Sequence, residues 1–219
     1  LYGYAHLPER FKPQRRIVVV DLPGAANKVA MLARALAAFD AAGYDYIGMD
    51  HFALPDDALA VAKRQGRLHR NFQGYSTQPD CDLIGLGVSA IGKIGATYSQ
   101  NAKSLEDYQD LLDQGHLPVV RGLAVSRDDL LRRAVIMALM CQGEVLYESI
   151  ELSHLINFRE YFASELQALR GMQEQGLVRL TDTGIEVTSM GWFFVRGVAM
   201  VFDKYLQADR TRARFSKII

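Results

Sequence analysis

The sequence is short of cysteine, of net charge and of long apolar runs, and each shortage closes off a class of function. Only Cys81 and Cys141 occur in 219 residues, far apart and not in a CxxC pair. They argue against a disulfide framework and against a zinc or iron–sulfur site built from this chain alone. A reducing cytosol is the expected compartment, and both thiols are read as inert. Lysine plus arginine equals aspartate plus glutamate at 25 each, so no global field draws the chain to nucleic acid or to an anionic membrane. Any anionic partner has to be met by a local patch. Apolar runs such as 135–141 fall far below the roughly 18–20 residues that span a bilayer. With no initiator methionine and no signal pattern, Leu1 is expected to continue from a longer protein.

What is present reads as two regions. In residues 1–125, strand and helix patterns alternate, the mark of an α/β fold. A strand is expected at 1–5, and a helix on Val29, Leu32, Ala33, Leu36 and Phe39 ending at Gly43. A second strand is expected over 44–51, a helix from Pro55 through Leu68, a buried strand over 81–90, and a helix capped by Ser104. Gly85 and Gly87 mark either a close backbone approach or a bulge.

Residues 126–219 are mostly helical. Ser126-Arg127-Asp128-Asp129 opens a helix to about Cys141, a longer one covers 158–175, a hairpin covers 177–188, and a last helix covers 190–206. This order is winged-helix-like. The expected recognition helix, however, offers Glu160, Glu165 and Glu174 among Tyr161, Phe162, Leu166 and Leu169, a surface for packing rather than for base edges. Arg196, Lys204, Arg210, Arg212, Arg214 and Lys217 weight the C-terminus with positive charge, facing either phosphate or solvent.

Polar, aromatic and glycine residues concentrate in His69-Arg70-Asn71-Phe72-Gln73-Gly74-Tyr75, read as a loop between two helices. His51 and His69 are candidates for contacting an anion or carrying a proton, or else for an ordinary loop hydrogen bond. Arg70 and Asn71 suit a carboxylate or a purine-like ring, or a turn that satisfies its own backbone.

These strings, with Tyr46-Ile47-Gly48-Met49-Asp50-His51-Phe52-Ala53, Gly87-Val88-Ser89-Ala90-Ile91 and Phe202-Asp203-Lys204-Tyr205-Leu206, closely resemble bacterial oxygen-independent coproporphyrinogen III oxidases. Those are radical S-adenosylmethionine enzymes of haem (porphyrin) biosynthesis. The resemblance runs the length of the chain and implies the C-terminal part of a partial TIM-like barrel followed by the helical region. It implies an oxidoreductase that turns two propionates of coproporphyrinogen III into the vinyl groups of protoporphyrinogen IX without oxygen. A reduced 4Fe-4S cluster, fed by an electron donor, cleaves S-adenosylmethionine to start the reaction.

By the same resemblance, Phe72, Gln73 and Ile91 line the site of the cluster-bound S-adenosylmethionine, and Ala5 contacts a second molecule. Ile91 can pack on an adenine face, Phe72 can close the pocket against solvent, and Gln73 offers both a donor and an acceptor. His51 and Arg70 are assigned to the substrate propionates on their chemistry alone. The three-cysteine cluster motif, the first barrel strands and the glycine-rich segment that binds S-adenosylmethionine are missing, so the cluster ligands are expected outside this chain. The chain alone is expected to be inactive. It is expected to self-associate through an exposed barrel edge, the full-length enzyme being a monomer. Alternatives are a haem chaperone of the same superfamily and a winged-helix nucleic-acid-binding module.

Overall fold

The computed structural model describes residues 3–208. Leu1, Tyr2, Arg210, Arg212, Arg214 and Lys217 lie outside that range. The strand expected at 1–5 does not appear in residues 3–7, because the side chain of Gln14 takes the backbone groups a strand would use. Its Nε2 donates to the Ala5 carbonyl at 3.1 Å and its Oε1 accepts from the Leu7 amide at 2.6 Å. After two short 3-10 turns, helix α1 covers Ala25–Ala41 and the chain reverses at Gly43, φ +79°. α1 buries none of its own residues. Its Phe39 stacks on Phe52 with ring centroids 4.1 Å apart.

The strand expected over 44–51 is instead a tight hairpin of β1 (Asp45–Gly48) and β2 (His51–Ala53), turning at Met49 with φ +50°. Helix α2 (Ala58–Arg64) starts on Asp57, whose carboxylate accepts from the Leu59 amide at 2.8 Å. The run at 69–75 is not a loop. It forms a second hairpin, β3 (His69–Asn71) and β4 (Gly74–Ser76), with Phe72 and Gln73 at the turn.

Residues 81–90 are not a strand: Gly87 at φ +99° and Ser89 at φ +59° break the extended path, and only Leu83 bridges to Lys93. The glycine reading holds in another form. A Cβ on Gly85 would sit 2.8 Å from the Ile91 carbonyl oxygen, so the close approach is between two stretches of the chain's own backbone. Strands β5 (Ile91–Ile94) and β6 (Thr97–Asn101), helix α3 (Leu105–Asp113) and strand β7 (Val119–Ala124) follow. The three strands form one sheet in the order β5, β6, β7. Ser104 caps α3 as expected, accepting from the Asp107 amide at 3.1 Å.

Helix α4 (Arg127–Gln142) opens with a complete capping box. Ser126 Oγ accepts from the Asp129 amide at 3.2 Å, and the Asp129 carboxylate accepts from the Ser126 amide at 2.8 Å. Then come β8 (Glu144–Leu146), α5 (Tyr147–His154), α6 (Phe158–Tyr161), α7 (Ala163–Glu174), β9 (Val178–Leu180) and β10 (Gly184–Val187). Their sheet has the order β8, β10, β9. The helix expected over 158–175 breaks at Phe162, φ −105° and ψ 29°. The one expected over 190–206 is three short helices: α8 (Ser189–Trp192), α9 (Val195–Met200) and α10 (Lys204–Ala208). Asp203 causes the last break, its carboxylate accepting from the Tyr205 and Leu206 amides at 3.0 Å each.

Helices and strands are thus mixed along the chain, and the strand pairings given by the described residues are antiparallel. One apolar cluster runs from Ile47 to Phe202 and draws on residues from both sides of Val125. Phe158, Phe162 and Phe202 are fully buried at its centre, with successive ring centroids 4.8 and 5.3 Å apart. Burying each such side chain contributes about 1.5–3 kcal/mol. No helix among the described residues is long and apolar enough to cross a membrane.

Candidate functional site

The β3–β4 hairpin is pinned to α4 by two hydrogen bonds. Tyr75 Oη donates to the Met140 carbonyl at 2.8 Å, and Gln142 Nε2 donates to the Leu68 carbonyl at 3.1 Å. Burial pushes the Tyr75 phenol well above its ordinary pKa, so it stays a donor. Its ring organises Arg70 and His51. The Arg70 guanidinium lies over one face, 4.8 Å from the centroid, and His51 meets the ring edge-on at 5.3 Å. Arg70 Nη1 and His51 Nδ1 are buried with no hydrogen-bond partner among the described residues. Burial, and after it the charge of Arg70, lowers the pKa of His51, so its imidazole is neutral at neutral pH.

A cleft of about 820 Å³ opens in front of this hairpin. Arg70, Phe72, Asp80, Lys93, Tyr98 and Arg133 line it, and Ile136, Met137 and Met140 of α4 add apolar surface. Phe72 is 53% exposed and meets Tyr98 edge-on at 5.4 Å, a ring held at the entrance by another ring. Apolar surface with cations around it suits a flat apolar ligand that carries anionic arms.

The sequence candidates divide around this cleft. Arg70 and Phe72 line it. His51 sits behind Tyr75 and under Gly74, outside the lining. Gln73 is exposed at the hairpin turn, where its amide donates to Asn71 Oδ1 at 2.9 Å. Ile91 opens β5 opposite Gln100, and Ala5 is tied to Gln14; neither lines the cleft.

Sequence reasoning missed a second charged group in the lining of the cleft. Asp80 accepts from Arg133 through both carboxylate oxygens, at 2.6 Å each, and from Lys93 at 2.5 Å. Arg133, ahead of Lys93, holds the Asp80 carboxyl far below the usual carboxylate range. Arg133 belongs to α4, Lys93 to β5 and Asp80 to the irregular stretch before β5, so no spacing in the sequence signals the trio. Cys81 is exposed, and burial pushes the Cys141 thiol up to about 11. No group of three His, Cys, Asp or Glu side chains that could hold a metal ion lies among the described residues.

The model of the HemN C-terminal domain family matches residues 125–194. Along all 219 residues the chain is 52% identical to the oxygen-independent coproporphyrinogen III oxidase of Pseudomonas aeruginosa, covering 47% of it. The corresponding figures for the Escherichia coli oxidase are 45% and 48%. The oxidase of that name from Thermostichus vulcanus is 44% identical, with 67% of its length covered. A solved structure, described as coproporphyrinogen III oxidase (HemN) from Escherichia coli and a radical SAM enzyme, superposes with a TM-score of 0.87 at 47% identity. That match covers 93% of this chain and 47% of the solved one. The chain spans about half the length of the Pseudomonas and Escherichia relatives, and it belongs to the family of oxygen-independent coproporphyrinogen III oxidases.

Proposed function

We propose that this chain is the C-terminal portion of an enzyme that decarboxylates coproporphyrinogen III oxidatively to protoporphyrinogen IX. The observation that carries the reading is 45–52% identity along the whole chain to oxidases of that name. The cleft supports it: a porphyrinogen is an apolar macrocycle with carboxylate arms, and Arg70 and Arg133 line the cleft together with apolar side chains of α4.

Within this reading, Arg70 takes a propionate directly, its buried Nη1 gaining the partner it lacks. His51 serves the same end from behind, bracing the Tyr75 ring on which Arg70 rests. Phe72 covers the entrance and keeps water from the reacting carbon. S-adenosylmethionine, when bound, supplies the hydrogen-abstracting chemistry; Phe72, Gln73 and Ile91 are proposed to hold one molecule and Ala5 a second. Of the four, Phe72 has support from the cleft itself.

The residues present do not fit an iron–sulfur cluster, since two cysteines cannot supply three thiolates. The cluster ligands are assigned to sequence outside this chain, and an electron donor is proposed to reduce the cluster. The order helix, strand, helix, helices, hairpin in α4–β10 favours a winged-helix-like arrangement for the second region, used for packing rather than for nucleic acid. The regions 1–125 and 126–219 are proposed as two domains of a cytoplasmic enzyme, packed on one shared core and unfolding together.

The test is anaerobic turnover of coproporphyrinogen III by the long polypeptide that includes the N-terminal part found in the relatives, beside the present chain alone. Vinyl-bearing product from the long polypeptide, and none from the short one, is the expected result. Tight haem binding by the long polypeptide with no turnover would overturn the assignment in favour of a chaperone.

A further inference from the structure

Arg133 and Lys93, which line the cleft together with Arg70, are built like a receptor rather than like a surface ion pair. Arg133 and Lys93 extend from regular elements, α4 and β5, and their side chains are only 26% and 14% exposed. The acid that joins them comes from the irregular stretch before β5, and its side chain is 49% exposed. Arg133 grips both of its oxygens at 2.6 Å, the fork geometry that any carboxylate can take. The acid is therefore the part of the trio nearest water. The stretch that bears it is also attached elsewhere: Leu83 exchanges backbone hydrogen bonds with Lys93 at 2.7 and 2.8 Å, and Asp82 accepts from the Gly95 amide at 2.8 Å. Releasing Asp80 does not release the chain around it.

We infer that Arg133 and Lys93 form a receptor for one carboxylate of the substrate, and that Asp80 is a built-in stand-in that fills it until the substrate arrives. The exchange leaves no buried cation unpaired at either end, which is the costly state in such a site. Asp80 is returned to water, where half of its side chain already lies. With Arg70, which lines the same cleft, the cleft then offers two cationic groups to one ligand. A ligand with one carboxylate would engage one of the two cationic groups only, so Asp80 acts as a threshold against it.

This inference rests on the proposed oxidase reading, and the experiment separates the two. In the long polypeptide, binding of coproporphyrin III, the fluorescent oxidised form of the substrate, is titrated beside that of its methyl ester, in which each propionate is capped. Turnover of coproporphyrinogen III and the melting temperature are measured on the same samples. Arg133→Gln should weaken binding of the acid about tenfold, the loss expected for one charge-assisted pair, and leave the ester unchanged. Arg133→Lys should fall between the two. Asp80→Asn should tighten the acid about threefold or more, as removal of a competing anion requires, again without effect on the ester.

If Asp80 were a structural clasp, Asp80→Asn would weaken the acid and the ester alike and lower the melting temperature, which overturns the inference. So would a loss in Arg133→Gln that is equal for acid and ester, or failure of the unsubstituted protein to bind the acid. Acid binding with the expected variant pattern but no turnover would overturn the oxidase reading and leave the receptor standing.

Discussion

Gly74 is the residue on which the hairpin depends. Its φ of +139° is open only to glycine at low cost, and a Cβ there would stand 2.7 Å from His51 Nε2. Gly74→Ala should destabilise the fold by about 1–3 kcal/mol, measured as a lower urea midpoint with an unchanged slope. His51 itself gives a pH signature. Its folded pKa lies below its ordinary value, so the unfolded chain takes up the proton first and stability declines as pH falls below about 6.5. His51→Gln should flatten that part of the stability profile; an unaltered profile would show that another group titrates there. Tyr75 links the two effects, since its ring carries Arg70 on one face and meets His51 at its edge.

At the scale of elements, the parts with local causes were legible and the parts with distant causes were not. The Ser126 and Ser104 caps are written within four residues, and both helices start where those caps place them. Ser126→Ala should cost about 1 kcal/mol, read by thermal melting. The 81–90 stretch misled because its apolar residues suggested a strand, while the backbone at Gly87 and Ser89 turns out of the extended region. β5 and β6 were invisible for the opposite reason: Lys93, Thr97, Ser99, Gln100 and Asn101 show no apolar alternation, and pairing with each other and with β7 makes them strands. The polar run 69–75 stood out in the sequence, but its hairpin form comes from cross-strand pairing that composition hides. Arg133 and Asp80 stand 53 positions apart, so their pairing was beyond the reach of any motif.

The whole molecule carries two marks of its charge and its edges. Asp80 and Asp129 are both held ionised below the ordinary carboxylate range, by Arg133 and Lys93 in one case, and by Lys204 and Ser126 against opposing burial in the other. Their contribution is complete above about pH 4 and is lost as pH falls further, because the unfolded chain binds those protons first. Acid unfolding should therefore begin at higher pH in Arg133→Gln than in the parent chain. β7 is exposed along its whole length at the free side of its sheet, the place where another strand can add. The chain alone should elute as larger species with rising concentration, and Val120→Lys should reverse this.

The apolar cluster that crosses Val125 has a further consequence. Ile47, Leu68 and Tyr75 pack in the same cluster as Leu139, Phe162 and Phe202, so neither side of Val125 can melt without stripping the other. Calorimetry of the chain should show a single cooperative transition, with calorimetric and van't Hoff enthalpies equal; two separated transitions would contradict this. Because the same cluster underlies the hairpin, any ligand seated against Arg70 raises that one melting temperature. The stability of the helical half is then a direct gauge of occupancy in a cleft whose charged wall belongs partly to the other half.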